Sequence, residues 1–309
     1  MHSTTHPQTF RAAWLAQVQA YPWVSAGLAV ALAAVLWLLV GSGINAFDGE
    51  QAHERLRYGL YGGSAGFLAT AFGALLALGL RNISARTQDT MLGFAAGMML
   101  AASAFSLILP GIDAAKGITG NNYFAAGTVV LGLALGALLM LGLDRFTPHE
   151  HDSTGPCGPD SERINRVWLF VFAITLHNLP EGMAIGVGFA GGDLGVGIPL
   201  ASAISIQDIP EGLAVAMALR TIGLSAWRAS LIAGATGLME PLGALVGLGI
   251  SSGYALAYPV SLGLAAGAML FVVSHEIIPE THRNGHQTPA TLGLMGGFAV
   301  MMFLDTALG

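Results

Sequence analysis

The sequence predicts an all-α polytopic membrane protein. Three observations carry that: 54% hydrophobic residues, only 10% charged residues in a chain of 309, and 43 glycines, with a mean hydropathy of +0.65. A soluble domain carries about 25% charged residues because its surface faces water. The net charge of −6 excludes a nucleic-acid binder, which needs basic excess to neutralise phosphates. A single cysteine excludes a disulfide framework.

Apolar runs near the ~20 residues that cross a bilayer recur at 24–44, 60–80, 91–110, 122–143, 167–190, 197–219, 229–250, 255–275 and 289–307, nine spans in all. The first reads as an anchor helix rather than a cleaved signal, because a 23-residue polar lead precedes it and its apolar core exceeds a signal's usual ~7–15 residues. Residues 1–59 are expected to hold a cytoplasmic N-terminus, this extra helix and an outer loop. Residues 60–309 are expected to form the functional domain.

Loop Lys and Arg residues set the orientation. With the N-terminus inside, Arg11, Arg81, Arg86, Arg145, Arg163, Arg166, Arg220, Arg228 and Arg283 are cytoplasmic, and only Arg55, Arg57 and Lys116 lie outside. The C-terminus is then external. Trp23, Trp168 and Trp227 mark cytoplasmic interfaces. The long connection 144–166, with Pro148, His149, His151, Pro156, Cys157 and Pro159, reads as a loop. Glycines such as Gly132, Gly136, Gly243 and Gly247 read as close helix packing.

Two stretches align at an offset of 30: Ala173 to Gly182 and Ala203 to Gly212. Each carries two polar groups, then Pro-Glu-Gly: His177-Asn178-Leu179-Pro180-Glu181-Gly182 and Gln207-Asp208-Ile209-Pro210-Glu211-Gly212. In a helix, residues four and three apart share a face, so His177 and Asn178 accompany Glu181, and Gln207 and Asp208 accompany Glu211. Pro180 and Pro210 cannot donate to Leu176 and Ile206, so each helix is expected to be broken or kinked at its ligands. Glu240, beside Pro241, adds a fourth acid near the middle of a span.

Four unpaired acids at membrane depth would cost on the order of 10 kcal/mol, at ~2.5–3.5 each. Protons or two divalent cations would neutralise them. One imidazole, two carboxamides and four carboxylates form a mixed N/O set suited to Zn²⁺ or a similar ion, and the two shared glutamates could bridge two metals.

Taken together, these motifs resemble bacterial members of the ZIP (Zrt/Irt-like) metal transporter family. Besides the paired motif, Glu240-Pro241-Leu242-Gly243-Ala244 and Ser274-His275-Glu276-Ile277-Ile278-Pro279-Glu280 resemble its sixth and seventh helices. The resemblance covers about 60–307. It implies an eight-helix bundle with both termini outside, to which 24–44 is an additional N-terminal helix. It further implies uptake of zinc or related divalent cations through a two-metal centre, a homodimer in the bacterial cytoplasmic (inner) membrane, and a movable unit sliding against a static scaffold. One departure is Gln207, where members usually carry His. A carboxamide selects Zn²⁺ less strongly, which leaves Cd²⁺, Fe²⁺, Mn²⁺ and Ni²⁺ open.

Around the centre, Met99, Ser103 and Ser106 share one face of 91–110, and Asp113 and Asp305 are candidates for the entrance. On the cytoplasmic side, His275, Glu276, Glu280, His282 and His286, with His149 and His151 in the loop, are candidates for release; His2 and His6 read as a polar terminus. An intramembrane metalloprotease is excluded, since its His-Glu-x-x-His helix would need a histidine where Pro279 stands. No catalytic cofactor is expected. A proton-coupled carrier of another solute, and a channel in place of a carrier, are the alternatives.

Overall fold

The computed structural model describes residues 10–42, 50–80, 83–147, 149–151, 155–157 and 166–308. His2, His6, Pro148 and Pro159 lie outside these, as do the side chains of His149, His151 and Cys157. The chain forms α1 (Phe10–Ala20), α2 (Pro22–Ser42) and α3 (Glu50–Gly79), followed by α4 (Ala85–Ala102), which runs through a π-helical segment, Ser103–Ile108, into α5 (Leu109–Thr119). Next come α6 (Asn122–Phe146) and a short antiparallel hairpin of β1 (His149–His151) with β2 (Gly155–Cys157). The remainder is α7 (Arg166–Ala190), α8 (Leu194–Thr221), α9 (Ala226–Thr236), α10 (Met239–Ser251), α11 (Ala257–Val272), a second π-helical segment Val273–Ile277, α12 (Ile278–His282) and α13 (Gln287–Leu308).

Short polar residues fix several starts. The side chains of Ser84, Asn121, Asp193 and Ser225 accept from backbone N–H groups of the first turns of α4, α6, α8 and α9, satisfying donors that have no partner inside the helix. Both π-helical segments stand just before a proline, Pro110 or Pro279. Their wider turns let the N–H of Leu109 bond Ala104 O, and that of Ile278 bond Val273 O. The helix thus continues past a residue that cannot donate. For that reason the predicted spans 91–110 and 255–275 extend to Thr119 and His282.

Among the described residues, eight helical segments are long and apolar enough to cross a membrane, one of them the extra N-terminal helix Pro22–Ser42. The predicted ninth, α8, has ample length at 28 residues but is not among the eight. Gln207, Asp208, Glu211 and its two prolines make it more polar. Of the break or kink expected there, a break does not occur: α7 and α8 continue as helix through Pro180 and Pro210. The break falls instead in the third acidic segment, between α9 and α10, immediately before Glu240.

The helices pack as two groups. In one, α3 lies against α8, α9 and α10, and α7 against α10 and α8; in the other, α4 lies against α13 and α6 against α11. Glycine seams close each group. A Cβ at Gly182 or Gly186 would strike the backbone of α10, and one at Gly243 or Gly247 that of α7. Gly93 and Gly97 meet Gly293 and Gly297 in the same way, as do Gly132 and Gly136 with Gly263 and Gly267. Without a hydrophobic effect between helices in lipid, such close approach is what holds them together. Among α3 to α13, every added Cβ that would strike another helix's backbone carbonyl does so within one group. Between the groups, α4 and α13 meet α8, and α11 meets α7. The extra helix α2 packs on α6 and α10.

Candidate metal centre

The two Pro-Glu-Gly triplets do more than interrupt hydrogen bonding. Gly182 lets the backbone of Glu240 lie directly on α7, and Gly212 lets that of Thr70 lie on α8. Each motif glycine therefore seats a neighbouring helix beside its own glutamate. Glu240 arrives from α10 and Thr70 from α3, and the four helices close around one point.

All seven predicted ligands, His177, Asn178, Glu181, Gln207, Asp208, Glu211 and Glu240, are buried, none more than 2% exposed. Glu181, Asp208 and Glu211 each offer an oxygen, and these oxygens lie within 4.8 Å of one another. Gln207 Nε2 donates to Glu181 Oε1 at 2.7 Å. Asn178 Nδ2 approaches Thr236 Oγ1 at 3.5 Å, and Thr70 Oγ1 donates to Glu240 Oε1 at 2.8 Å. The carboxyl groups of Asp208 and Glu240 face each other, while Glu211 lies near His177. Glu181 and Glu211 are thus neighbours to the rest: Gln207 bonds Glu181, His177 lies near Glu211, and Asp208 and Glu240 face each other.

Its electrostatics are one-sided. Four carboxyl groups share a buried volume, and no Lys or Arg pairs with them among the described residues. Glu181 Oε2, Gln207 Oε1, Asp208 Oδ2, both oxygens of Glu211 and Glu240 Oε2 are buried and receive no hydrogen bond from the described residues. Six such oxygens are expensive to bury unless a cation takes them. An oxygen-rich set with one imidazole at hand suits a divalent ion.

The other candidates divide. Ser106 Oγ donates to Asp305 Oδ1 at 2.6 Å, and both line a cavity of about 410 Å³ with Phe105, Pro110, Asp193, Gly195 and Val196. Met99 is buried on the same helix line, its carbonyl accepting from Ser103 Oγ. Asp113 is exposed on α5 and does not line that cavity. Glu276 turns inward, its Oε2 2.7 Å from His177 Nε2, so it belongs to the centre as much as to the release side. The ring of its neighbour His275 is tilted against that of Phe271, centroids 4.8 Å apart, and lies 3.8 Å from Asp144 Oδ2. His286 Nδ1 donates to Asp89 Oδ2 at 2.8 Å and His282 Nδ1 to Ile278 O at 2.8 Å, both away from the centre. Glu280 pairs with Arg283 at 3.3 Å.

Sequence reasoning passed over Thr70, Thr236, Asp89, Asp144 and Asp193. Thr70 and Thr236 lie in apolar runs without a motif, and nothing in their spacing marks them. Asp144 was placed in a loop; α6 extends past it to Phe146 and buries it to 1% exposure.

Residues 147–305 match the family of ZIP zinc transporters. The chain is 70% identical over 299 residues, 97% of this chain and 96% of the relative, to the zinc transporter ZIPB of Bordetella bronchiseptica. It is 43% identical to the zinc transporter GufA of Myxococcus xanthus, over 78% of this chain and 95% of the relative. Similarity extends to the human zinc transporter ZIP11, 32% identical over 84% of this chain and 99% of the relative.

Proposed function

The chain belongs to the ZIP zinc transporter family, and from that premise we propose that it carries Zn²⁺ across a membrane through the buried centre on α7, α8 and α10. The observation that carries this reading is the set of six buried oxygens without donors, contributed by Glu181, Gln207, Asp208, Glu211 and Glu240. Two ions occupy two halves of this centre, with Glu181 and Glu211 shared between them, and their +4 balances the four carboxylates. His177 is the nitrogen ligand of one half, and Asn178 joins Asp208 and Glu240 in the other.

Transport is uptake into the cytosol of a bacterial inner membrane. Metal enters past Asp305 and Ser106 and leaves past Glu276, His275 and the loop of His149 and His151; Met99 and Asp113 are accessory on the outer side. The positive-inside bias supports the orientation on which this route rests, with the N-terminus inside and the C-terminus outside. With Gln207 in place of histidine, Cd²⁺ and, more weakly, Fe²⁺, Mn²⁺ and Ni²⁺ share the route. The glycine seams favour a carrier over a channel: they lock helices within α3 and α7–α10, and within α4–α6 and α11–α13, and among the described glycines none makes such a backbone-carbonyl approach across the two sets. The first group moves as a unit against the second, which holds the homodimer.

Zinc flux into proteoliposomes tests this reading. The folded, inserted double variant His177→Ala/Glu211→Ala is expected to lose flux. Wild-type flux in that variant contradicts the assignment.

A further inference from the structure

The helix α3 contributes no charged ligand to the centre, yet two of its residues touch Glu240. Thr70 Oγ1 donates to Glu240 Oε1 at 2.8 Å and also approaches Gly66 O at 3.3 Å. Gly66 lies one turn earlier on the same face, and a Cβ there would overlap Glu240 Oε2 and sit 3.1 Å from Asp208 Oδ2. One oxygen of Glu240 is therefore held by a hydroxyl, while the other is given room by the missing side chain and receives no hydrogen bond from the described residues. A third neighbour completes the arrangement: a Cβ at Gly237 would lie 3.1 Å from Thr70 Oγ1 and 3.2 Å from Glu240 Oε1. Thr70 is itself 2% exposed, so water does not substitute for its hydroxyl.

We propose that Thr70 and Gly66 are positioning residues for the half of the centre formed by Asp208 and Glu240, and that α3 thereby sets its affinity for a divalent cation. The chemistry is that of an outer-shell group. A carboxylate whose one oxygen is fixed presents the other to a cation in a single orientation, and losing such a partner commonly costs 10–100-fold in metal affinity. Gly66 acts by space alone, because any side chain there takes the volume of the free oxygen. This deepens the proposed two-ion reading and rests on it.

The test is Zn²⁺ binding to purified full-length protein in detergent, by titration calorimetry, with wild type, Thr70→Val, Thr70→Ser and Gly66→Ala. The melting temperature of each is recorded. Wild type is expected to bind two ions. Thr70→Val, close to isosteric, is expected to weaken one of them at least tenfold while the other stays within about twofold. Thr70→Ser, which keeps the hydroxyl, is expected to restore it, and Gly66→Ala to remove that ion. A Thr70→Val protein that binds both ions as wild type does overturns the proposal. So does equal weakening of both ions that serine fails to rescue, the outcome of a merely structural role. A wild-type protein that binds fewer than two ions overturns the two-ion reading itself, which separates that failure from this one.

Discussion

Glu276 Oε2 lies 2.7 Å from His177 Nε2, and this contact joins the two helix groups at the metal centre. Glu276 sits in the π-helical segment after α11, and His177 four residues before Glu181 on α7. The wider turn before Pro279 shifts side chains relative to a regular helix, and Glu276 is the one that reaches the ligand. A carboxylate beside a metal-ligating histidine orients the ring and raises its basicity. Glu276→Gln is therefore expected to weaken zinc at the His177 half on the order of tenfold, with the melting temperature little changed. A binding isotherm checks this, and an unaltered affinity contradicts it.

Gln207 donates to Glu181 Oε1 at 2.7 Å, which leaves its carbonyl oxygen as the atom open to a cation. Gln207→His replaces that oxygen with an imidazole nitrogen. First-row ions at the softer end gain from nitrogen and hard ions do not. The expected outcome is a several-fold rise in the preference for Zn²⁺ over Mn²⁺, read from competition in a flux assay. An unchanged or inverted ratio argues that Gln207 Oε1 is not a ligand.

Asp305 holds Ser106 at 2.6 Å on the wall of the cavity of about 410 Å³. In the proposed role of attractor rather than ligand, Asp305 acts on capture. Asp305→Asn is expected to raise the apparent KM several-fold and to leave the maximal rate near wild type. The difference shrinks as salt rises, since screening at ~1 M reduces the Debye length to about 3 Å. An effect confined to the maximal rate contradicts the role.

The carrier reading predicts that two cross-links behave differently. A Cβ at Gly234 would lie 3.4 Å from that of Ala71, near the separation a disulfide needs, and both positions belong to the first group. Gly191, at the end of α7, packs on the ring of Tyr258 at the start of α11, across the two groups. In a Cys157→Ser background, Ala71→Cys/Gly234→Cys is expected to retain flux when oxidised. Gly191→Cys/Tyr258→Cys, bridged by a bifunctional thiol reagent, is expected to lose it and to recover on cleavage of the bridge. Full flux through the second pair while bridged contradicts the sliding of one group on the other.

Much of the site was legible because charge is costly in lipid. Glu181, Asp208, Glu211 and Glu240 stood out against an apolar background, and the repeat placed Asn178 and Gln207 beside them. The membrane class followed from composition in the same way. What stayed hidden was whatever a helix does between motifs. Thr70 and Gly66 are ordinary residues of an apolar run, and their role exists only once Gly212 and Gly182 have brought α3 and α10 onto α8 and α7. No break falls at Pro180 or Pro210, because a helix tolerates a lost hydrogen bond when neighbouring helices pack closely. The polar content that marks α8 as the site is also what makes it less apolar than the other spans. The contact of Glu276 with His177 stayed hidden because the span was ended at 275, whereas the π-helical segment carries the helix on to His282.

In the proposed reading the four buried acids hold divalent cations between α7, α8 and α10. Anomalous scattering from crystals of the protein grown with Cd²⁺ tests it directly. Two peaks separated by roughly 4 Å, as bridged metal pairs are, are predicted, with Glu181 and Glu211 between them, His177 beside one and Asp208 with Glu240 beside the other. Fully occupied cadmium elsewhere in the molecule, with no peak among these residues, would contradict it.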